Sequence, residues 1–429
     1  MAVIKPFAGV HFARRADLDL SALIAPPYDV LDEAGKASLQ ARHPNNIVTV
    51  DLPFLPPKSV GPDEVYAKAN TTLQSWLSSG IMVQDVRAAL YPYAQSYDHA
   101  GRTFHRRGFI TLVKLTPFGV DVIPHEKTYK GPIEDRMKLM HATGMQLSPI
   151  FGLFSDPRNE VTGALYKNLV KPEFSATMDN VKNDMWSVID ADTENHVIDL
   201  MRGKHVYIAD GHHRYTTALG YQAEMIRQNG GKELPPSHPA NYCMFVLVGM
   251  QDPGLQILPT HRLLGNIPSF DISKLSAALN GQATVTESDL DVTDLLRSAP
   301  AHAFGLFDGR TRKRYVIQLI NVDVLEKLEP SQSVAWRHLD VALLQRYLLD
   351  EIFQPTFVAS GQELSKGYTA YAEEIPKKVD GSTYQVALML QSTPLAALEE
   401  LGRHGEVMPQ KSTYFFPKLA TGMVLNPLR

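Results

Sequence analysis

Residues 210–214 read Asp-Gly-His-His-Arg and directly follow a short apolar run, an arrangement that could bind phosphate. The run predicts a strand that stops at Asp210, and the residues after it predict a helix with Asp210 as its N-cap. The first N–H groups of a helix lack partners within it and carry the positive end of its dipole, so they form an anion site. Gly211 lets the backbone approach a ligand closely, and the planar guanidinium of Arg214 can bind phosphate oxygens. The sequence therefore predicts a phosphate-binding loop at residues 210–214.

Two other interpretations of this loop explain less. A purely structural one accounts for Asp210 as a cap and Gly211 as a turn residue, but not for two histidines and an arginine in the same turn. A metal site on His212 and His213 is disfavoured, because neighbours on a helix point about 100° apart and do not face each other. Both histidines can donate hydrogen bonds to phosphate without being charged.

A second candidate site is the run His-Glu-Lys-Thr at residues 125–128. Glu126, beside a proline-led turn, could act as a general base or as a magnesium ligand. The alternative is a solvated salt bridge of Glu126 with Lys127 or Arg136, and charged turns of that kind are common. The sequence alone leaves both open.

Basic and hydroxyl residues near the end of the chain form a third candidate. Lys411, Ser412 and Thr413 stand in one run, and Lys418 follows soon after. Lysine serves well as a point charge against phosphate, although an exposed basic loop explains the same residues. A terminal segment with this composition is expected to return to the body of the protein.

Two short motifs could form substrate-binding walls. Tyr28 and Asp29 follow a double proline, which predicts a rigid extended turn. His261 and Arg262 follow a proline and a threonine, and could be an anion contact or a surface turn. For both motifs the structural interpretation stays open beside the functional one.

The elements around these motifs alternate between strands and helices. Helical spacing covers residues 65–77, two strands are expected at 89–97 and 106–115, and a polar helix is expected to run through Arg136 toward His141. Further strands are expected at 148–154, 186–189, 205–209 and 242–249, with helices at 193–202, 213–228 and 339–349. The pattern predicts an α/β or α+β protein with a mixed sheet around residues 120–265.

Length and composition narrow the class of protein. A chain of 429 residues suggests two or three domains, and 44% hydrophobic residues are enough for a real core. The net charge of −4 provides no general basic field, so nucleic acid is a disfavoured partner. The single cysteine, Cys243, lies in a predicted buried strand and excludes an internal disulfide framework. No signal peptide or membrane span is expected, which favours a cytoplasmic location.

At these motifs the sequence resembles the prokaryotic family of unknown function numbered 1015. The motifs that carry the resemblance are spread from residue 25 toward the C-terminus, at 25–30, 125–128, 131–132, 135–136, 148–151, 208–215, 258–262 and 411–415. Residues 198–218 also look like the phosphate-binding segment of the ParB/sulfiredoxin-like superfamily, which includes the free serine kinases. Those kinases carry Asp-Gly-His-His-Arg after a strand, where it holds nucleotide phosphates, and they use a glutamate as the base for the substrate hydroxyl.

The resemblance implies a ParB/sulfiredoxin-like core flanked by N- and C-terminal regions. We expect an N-terminal region at residues 1–115, a central phosphate-binding region at 116–270 and a C-terminal region at 271–429 whose tail returns to the site. The nucleotide is expected to be ATP or ADP, with another nucleotide left open, and magnesium would be held by Asp210 or Glu126. Whether the protein itself carries a metal site is left open.

The resulting hypothesis is a nucleotide-dependent phosphotransferase acting on a small hydroxylated metabolite, with free serine as one candidate. Its catalytic residues would be Glu126, Asp210 and His213. The phosphate-binding residues would be Gly211, His212, His213, Arg214, Lys127, Lys411, Ser412 and Thr413, and the substrate-binding residues would be Tyr28, Asp29, Arg136, His261 and Arg262. One alternative is a nucleotide-binding or nucleotide-hydrolysing regulator of ParB-like type, and a nuclease is the third class. The sequence does not determine the oligomeric state, and a homodimer is left open.

Overall fold

The computed structural model of the protein describes residues 1–15 and 17–429. This part of the chain divides into two compact units. The first contains residues 1–124, 128–256 and 417–429, and the second contains residues 125–127 and 257–416. These units are defined by packing, so the division of the sequence into three functional regions stays a prediction.

The described residues of the first unit form a mixed sheet of nine strands. Their order is Val122–Ile123, Val206–Asp210, Ile150–Phe154, Tyr242–Gly249, Arg102–Lys114, Tyr91–His99, Val181–Met185 and Phe174–Met178, with Ile4–Lys5 paired to Arg102–Lys114. Val206–Asp210 pairs in parallel with Val122–Ile123 and antiparallel with Ile150–Phe154, which in turn is parallel to Tyr242–Gly249. The predicted mixed α/β class is confirmed. The sheet extends into the N-terminal region, beyond the expected range of residues 120–265.

Helices and two small sheets surround this large sheet. The helices are Leu20–Leu23, Glu33–Arg42, Val48–Asp51, Asp63–Ser78, Lys130–Thr143, Glu160–Tyr166, Ala191–Met201 and His212–Gln228, with 3-10 turns at Tyr28–Val30 and Pro239–Asn241. The small sheets pair Val10–Phe12 with Met82–Gln84, and Asn426–Pro427 with Met145–Gln146.

The core explains why the central strands form where they do. All eight residues of Tyr242–Gly249 are buried, and such continuous apolar runs are typical of strands covered on both faces. Cys243 is a buried free thiol in this strand, as the sequence predicts. Tyr215, on the first turns of the 212–228 helix, is also buried and packs against Phe245. The helix that follows the 210–214 loop is thereby fixed to the sheet.

The second unit is built on its own antiparallel sheet. Its strand order is Ala283–Ser288, Arg314–Leu319, Ala303–Asp308, Val386–Met389, His261–Gly265 and Ser365–Thr369, and Gln256–Leu258 pairs separately with Tyr414–Phe416. The helices are Ile272–Ala278, Val334–Arg337, Asp340–Ala342, Gln354–Phe357, Ile375–Lys378 and Leu395–His404, with 3-10 turns at Val322–Leu325 and Ala372–Glu374. The helix expected at residues 339–349 forms, but from Leu343 to Phe353 it is a π-helix. Within residues 1–15 and 17–429, no helix combines the length and the apolar character that crossing a bilayer requires.

Candidate functional site

The 210–214 loop joins a sheet strand to a long helix. Val206–Asp210 is the strand, and Gly211 follows with φ 98° and ψ 26°, a left-handed conformation that favours glycine. The helix His212–Gln228 begins at the next residue, and no side chain caps it. The amides of its first turn therefore have no capping oxygen from Gly211, and they remain suited to an anion.

Asp210 does not cap this helix, so that prediction is wrong. Its backbone stays in the sheet, in register with Phe151, and Gly211 takes the cap position. The carboxylate instead accepts a hydrogen bond from Lys418, whose Nζ lies 2.7 Å from Oδ2. Burial pushes the pKa of Asp210 upward, but Lys418, Arg214 and His212 outweigh it and hold the pKa well below its usual value. Asp210 is therefore ionised at neutral pH and is a poor proton acceptor there.

The C-terminal segment is held in place beside the loop. Gln95 donates from Nε2 to the carbonyl of Lys418 at 3.0 Å, and Arg106 donates to the carbonyl of Pro417 at 2.7 Å. Arg106 is fully buried, and burial lowers its pKa to about 10. Two buried side chains of the sheet thus position the backbone that carries Lys418 to Asp210.

Arg214 folds back over the loop. Its Nη1 donates to the carbonyl of Pro149, and its guanidinium atoms lie 2.9–3.0 Å from where a Cβ on Gly211 would stand. Any side chain at position 211 would meet this guanidinium and would also need a strained backbone. The glycine is therefore required for Arg214 to lie against the loop.

His213 is oriented by the segment that precedes the 130–143 helix. The backbone N–H of Tyr129 donates to His213 Nε2 at 3.1 Å. A neutral ring that accepts at Nε2 carries its proton on Nδ1, which makes Nδ1 a donor. The rings of Tyr129 and His213 are stacked with centroids 6.1 Å apart. His212, one residue earlier, is buried.

Arg136 lies in a buried charge cluster of the first unit. Its Nε donates to Asp135 at 2.7 Å and its Nη1 to the carbonyl of Asp51 at 2.6 Å, while the guanidinium lies 4.0 Å over the ring of Tyr28. Its Nη2 is 2.6 Å from Asp135 Oδ2 but outside hydrogen-bond geometry. Burial works against the charge of Arg136, but Asp51 and Asp135 outweigh it and raise its pKa. The suggested salt bridge between Arg136 and Glu126 is replaced by these partners.

Tyr28 and Asp29 have different surroundings. Tyr28 is buried, and burial raises the pKa of its hydroxyl above the ordinary value. Asp29 is partly exposed and forms a 3.7 Å ion pair with Lys58. The expected substrate contacts of Tyr28, Asp29 and Arg136 stay predictions.

A small cavity of about 40 Å³ links the charge cluster to Arg214. Asp51 and Arg136 line it on one side, and Ser148, Arg214 and Thr217 also contribute to its wall. Apolar side chains, among them Leu139, Met140 and Leu147, form much of the remaining wall. The guanidinium of Arg214 therefore shares this cavity with the charges of Asp51 and Arg136.

The run at residues 125–128 divides between the units, and residues 125–127 pack in the second. His125 Nε2 lies 3.0 Å from the hydroxyl of Thr413, and the carbonyl of His125 accepts a hydrogen bond from the amide of Met408 at 2.8 Å. Glu126 is partly buried and forms no ion pair within 4.0 Å in the described part of the chain, while Lys127 is exposed. Thr413 and Glu126 are thus anchored within the same unit through His125.

Arg262 is completely buried in the strand His261–Gly265 of the second unit. Its Nη1 donates to the carbonyl of Thr260 and its Nη2 to that of Gln410 at 3.4 Å, and it lies 5.0 Å over the ring of Tyr368. Burial lowers its pKa to about 10, although Tyr368 and Glu126 favour the charge. It thereby contacts the backbone of the residue that precedes Lys411, and substrate binding by His261 and Arg262 stays a prediction.

The Lys411–Thr413 run is an ordered turn. Lys411 is exposed with φ 55°, an uncommon conformation for a residue with a side chain. Ser412 is buried, donates to the carbonyl of Pro409, and its own carbonyl accepts from Thr393 at 3.1 Å. Phosphate binding by Lys411, Ser412 and Thr413 stays a prediction.

The sequence profile described as "Protein of unknown function (DUF1015)" matches residues 4–342, well over half of the chain. The chain belongs to the DUF1015 family. This confirms the family resemblance inferred from the motifs. The profile ends at Ala342, so the Lys411–Thr413 run of this DUF1015 chain lies outside the match. No curated protein matches the chain.

Solved structures similar to this DUF1015 protein are remote. A free serine kinase variant in complex with AMP is 11% identical with a TM-score of 0.35, over 71% of this chain and 87% of that one. A conserved hypothetical protein from Pyrococcus furiosus is 13% identical with a TM-score of 0.33, over 72% and 92%. SbnI with a C-terminal truncation, from Staphylococcus aureus, is 14% identical with a TM-score of 0.35, over 74% and 87%. At these scores the likeness by itself carries no function over to this chain.

The sequence did not reveal one contact of the DUF1015 site, the pairing of Lys418 with Asp210, or two of its residues, Asp51 and Tyr129. The ion pair of Lys418 with Asp210 joins residues 208 positions apart, so no local pattern could reveal it. Asp51 carries no motif of its own, and Tyr129 gave only the signal of an aromatic residue next to the 125–128 run. Among residues 1–15 and 17–429, no group of three or more His, Cys, Asp or Glu side chains could hold a metal ion.

His261 of the DUF1015 protein is expected to stay neutral well below the pH at which a solvent-exposed histidine becomes protonated. Its ring is buried, and burial followed by the charge of Arg262 lowers its pKa to about 4. The unfolded chain takes up a proton near pH 6.5, so the contribution of His261 to stability is full above pH 6.5 and declines as the pH falls toward 4. NMR titration of the ring should show no protonation between pH 7 and pH 5. A midpoint near 6.5 would contradict the buried position.

Proposed function

We propose that the protein is a nucleotide-dependent phosphotransferase whose 210–214 loop binds the nucleotide phosphates. The observation that carries the proposal is the 17-residue helix that starts directly after Gly211 with no side chain capping it. Oriented amides at such a helix start favour an anion, and the glycine keeps the approach open. The proposed acceptor is a small hydroxylated metabolite, with L-serine as the first to be tested.

The charges around the loop support a phosphate ligand. Arg214 and Lys418 supply two cations, and Asp210 supplies one ionised carboxylate between them. The backbone N–H of Tyr129 orients the ring of His213 by donating to its Nε2. Phosphoryl transfer depends mainly on positioning and on neutralising charge at the transferred group. This loop provides a net positive environment for that purpose.

Glu126 is the proposed base for the acceptor hydroxyl. Its carboxylate is partly buried and has no ion pair within 4.0 Å among the described residues. Asp210 is a weaker candidate for proton transfer because its pKa lies well below its usual range. We assign Asp210 instead to orienting Lys418.

Magnesium is compatible with these residues. It is commonly held by one or two carboxylates together with substrate phosphates, so a cluster of protein ligands is not required. The ionised carboxylate of Asp210 would contribute one ligand. Bound magnesium would neutralise charge on the phosphates.

Calorimetry and a transfer assay test the proposal together. The protein is expected to bind ATP or ADP in the presence of magnesium and to form phosphoserine when L-serine is added. Arg214→Ala should weaken nucleotide binding about 10- to 100-fold, because hydrogen bonds to charged groups contribute about 1.5–3 kcal/mol. Arg227→Ala is the matched control, since Arg227 lies in the last turn of the same helix. Undetectable nucleotide binding by the wild-type protein would refute the proposal.

The Glu126→Gln variant tests whether Glu126 acts in proton transfer rather than in nucleotide binding. The variant should retain nucleotide affinity and lose phosphoryl transfer. Nucleotide hydrolysis that proceeds without any acceptor would instead favour the regulatory class of function.

A further inference from the structure

A groove runs along one face of the 130–143 helix, in the first unit. Its volume is about 550 Å³, which lies in the range of small-molecule sites. Tyr129, Ile133, Met137 and His141 line it at four-residue intervals, which places them on a single stripe of the helix. We call it the Tyr129 groove.

The Tyr129 groove begins beside the 210–214 loop. The amide of Tyr129 donates to His213, and the hydroxyl of Thr128 is 3.5 Å from that of Thr216. One turn further, Thr217 donates to the carbonyl of Ile133 at 3.4 Å. These contacts tie the entrance of the groove to the first two turns of the 212–228 helix.

The ring of Tyr129 offers a stacking surface. Its side chain is about half exposed, with a relative exposure of 52%, although large aromatic residues are commonly buried. It stands next to His213 with an angle of 24° between the ring planes. Ile133 and Met137 add apolar wall beyond the ring. An apolar groove with an exposed aromatic ring in its wall suits a planar heterocyclic ring.

We propose that the Tyr129 groove binds the base of the nucleotide, stacked on Tyr129, while its phosphates lie at the 210–214 loop. The inference rests on the proposed function, because it takes the loop as the phosphate site. It adds the groove as the subsite that distinguishes a nucleotide from inorganic polyphosphate. Because stacking is insensitive to the pattern of hydrogen-bonding groups, the groove accepts a base through its flat face.

Calorimetric titration with ATP and with inorganic tripolyphosphate tests whether the groove binds the base while the loop binds the phosphates. Tyr129→Ala should weaken ATP binding about 5- to 150-fold, the range expected for loss of one base–aromatic stack, and leave tripolyphosphate binding within twofold. Tyr129→Phe keeps the ring and should bind ATP within threefold of wild type. Retained tripolyphosphate binding also demonstrates that the Tyr129→Ala protein is folded.

The outcomes separate the two proposals. If wild type binds both ligands and Tyr129→Ala binds ATP normally, the groove proposal fails and the phosphate loop stands. Equal weakening of ATP and tripolyphosphate would show that Tyr129 acts on the loop through His213, and it would also overturn the groove proposal. If wild type binds neither ligand, the proposed function fails and the groove proposal fails with it.

Discussion

Replacing Arg136 with leucine is expected to lower the free energy of unfolding by about 3–5 kcal/mol at pH 7. Arg136 is 5% exposed and compensates the buried carboxylates of Asp51 and Asp135. Without it both carboxylates stay buried without their ion-pair partner, and breaking one side of a buried pair is strongly destabilising. Urea denaturation of the variant and wild type measures the difference.

The pH dependence gives the Arg136→Leu result a specific signature. Burial already raises the pKa of Asp51, and loss of the guanidinium should raise it further. A carboxyl whose folded pKa exceeds its unfolded value destabilises the fold above the unfolded pKa, so the deficit should shrink as the pH falls toward the unfolded pKa of about 4. Arg158→Leu is the control, because Arg158 pairs with Glu160 at an exposed site and should cost less than about 1 kcal/mol. A similarly small loss for Arg136→Leu would contradict the buried cluster.

Lys418→Met is expected to lower the free energy of unfolding by about 2–4 kcal/mol at pH 7, because it leaves the carboxylate of Asp210 without its ion-pair partner. The two side chains are only 17% and 22% exposed, so water replaces little of the lost ion pair. The same variant should weaken nucleotide binding at least tenfold, since the loop then loses one of its two cations and with it the net positive charge that favours phosphates. Denaturation and calorimetry on one preparation measure both effects.

The sign of the pH effect follows from Asp210. In wild type its pKa is lowered, so the pair stabilises the fold above the unfolded pKa of about 4 and loses that contribution as the pH falls further. In Lys418→Met, burial dominates and the pKa rises, so the two proteins should differ most at pH 7 and least below pH 4. Adding Asp210→Asn to Lys418→Met should recover most of the lost stability.

Lys182→Met provides the matched control. Its Nζ lies 2.8 Å from the carboxylate of the buried Asp184, but Lys182 itself is 52% exposed, and the carboxylate keeps a hydrogen bond from the hydroxyl of Ser175 at 2.7 Å. The expected loss is below about 1 kcal/mol. A loss as large as that of Lys418→Met would mean that burial does not set the strength of the Asp210 pair.

Local pattern was sufficient for the strand, the glycine and the helix around the 210–214 loop. The expected strand at 205–209 is Val206–Asp210, and the expected helix at 213–228 is His212–Gln228. Both rest on apolar periodicity, which neighbours along the chain determine. The prediction that Asp210 caps the helix was wrong, because its carboxylate is paired with Lys418 from the far end of the chain.

The strand expected at residues 186–189 shows where periodicity misleads. The structure has Val181–Met185 instead, with only an isolated bridge between Val188 and Leu90 beyond it. Asn183 in this strand is completely buried, and its side-chain oxygen Oδ1 accepts hydrogen bonds from Tyr93 and Gln95. A buried polar residue disguises the alternation of a strand, and its partners lie about 90 positions away.

The packing of residues 125–127 in the second unit could not be predicted from the sequence either. Three residues carry too little pattern to be assigned to a unit, and they join the second unit through His125 with Met408 and Thr413. The resemblance to the free serine kinases suggested Glu126 as a candidate base, but it could not predict this packing. Tertiary contacts of high sequence separation decide such placements.

A crystal structure of the protein soaked with ADP and magnesium tests the central claim most directly. The account predicts phosphate oxygens within about 3.2 Å of the amides that follow Gly211 and of the Arg214 guanidinium. Phosphates bound elsewhere, with the first turn of the 212–228 helix unchanged and in contact with protein or water alone, would contradict it.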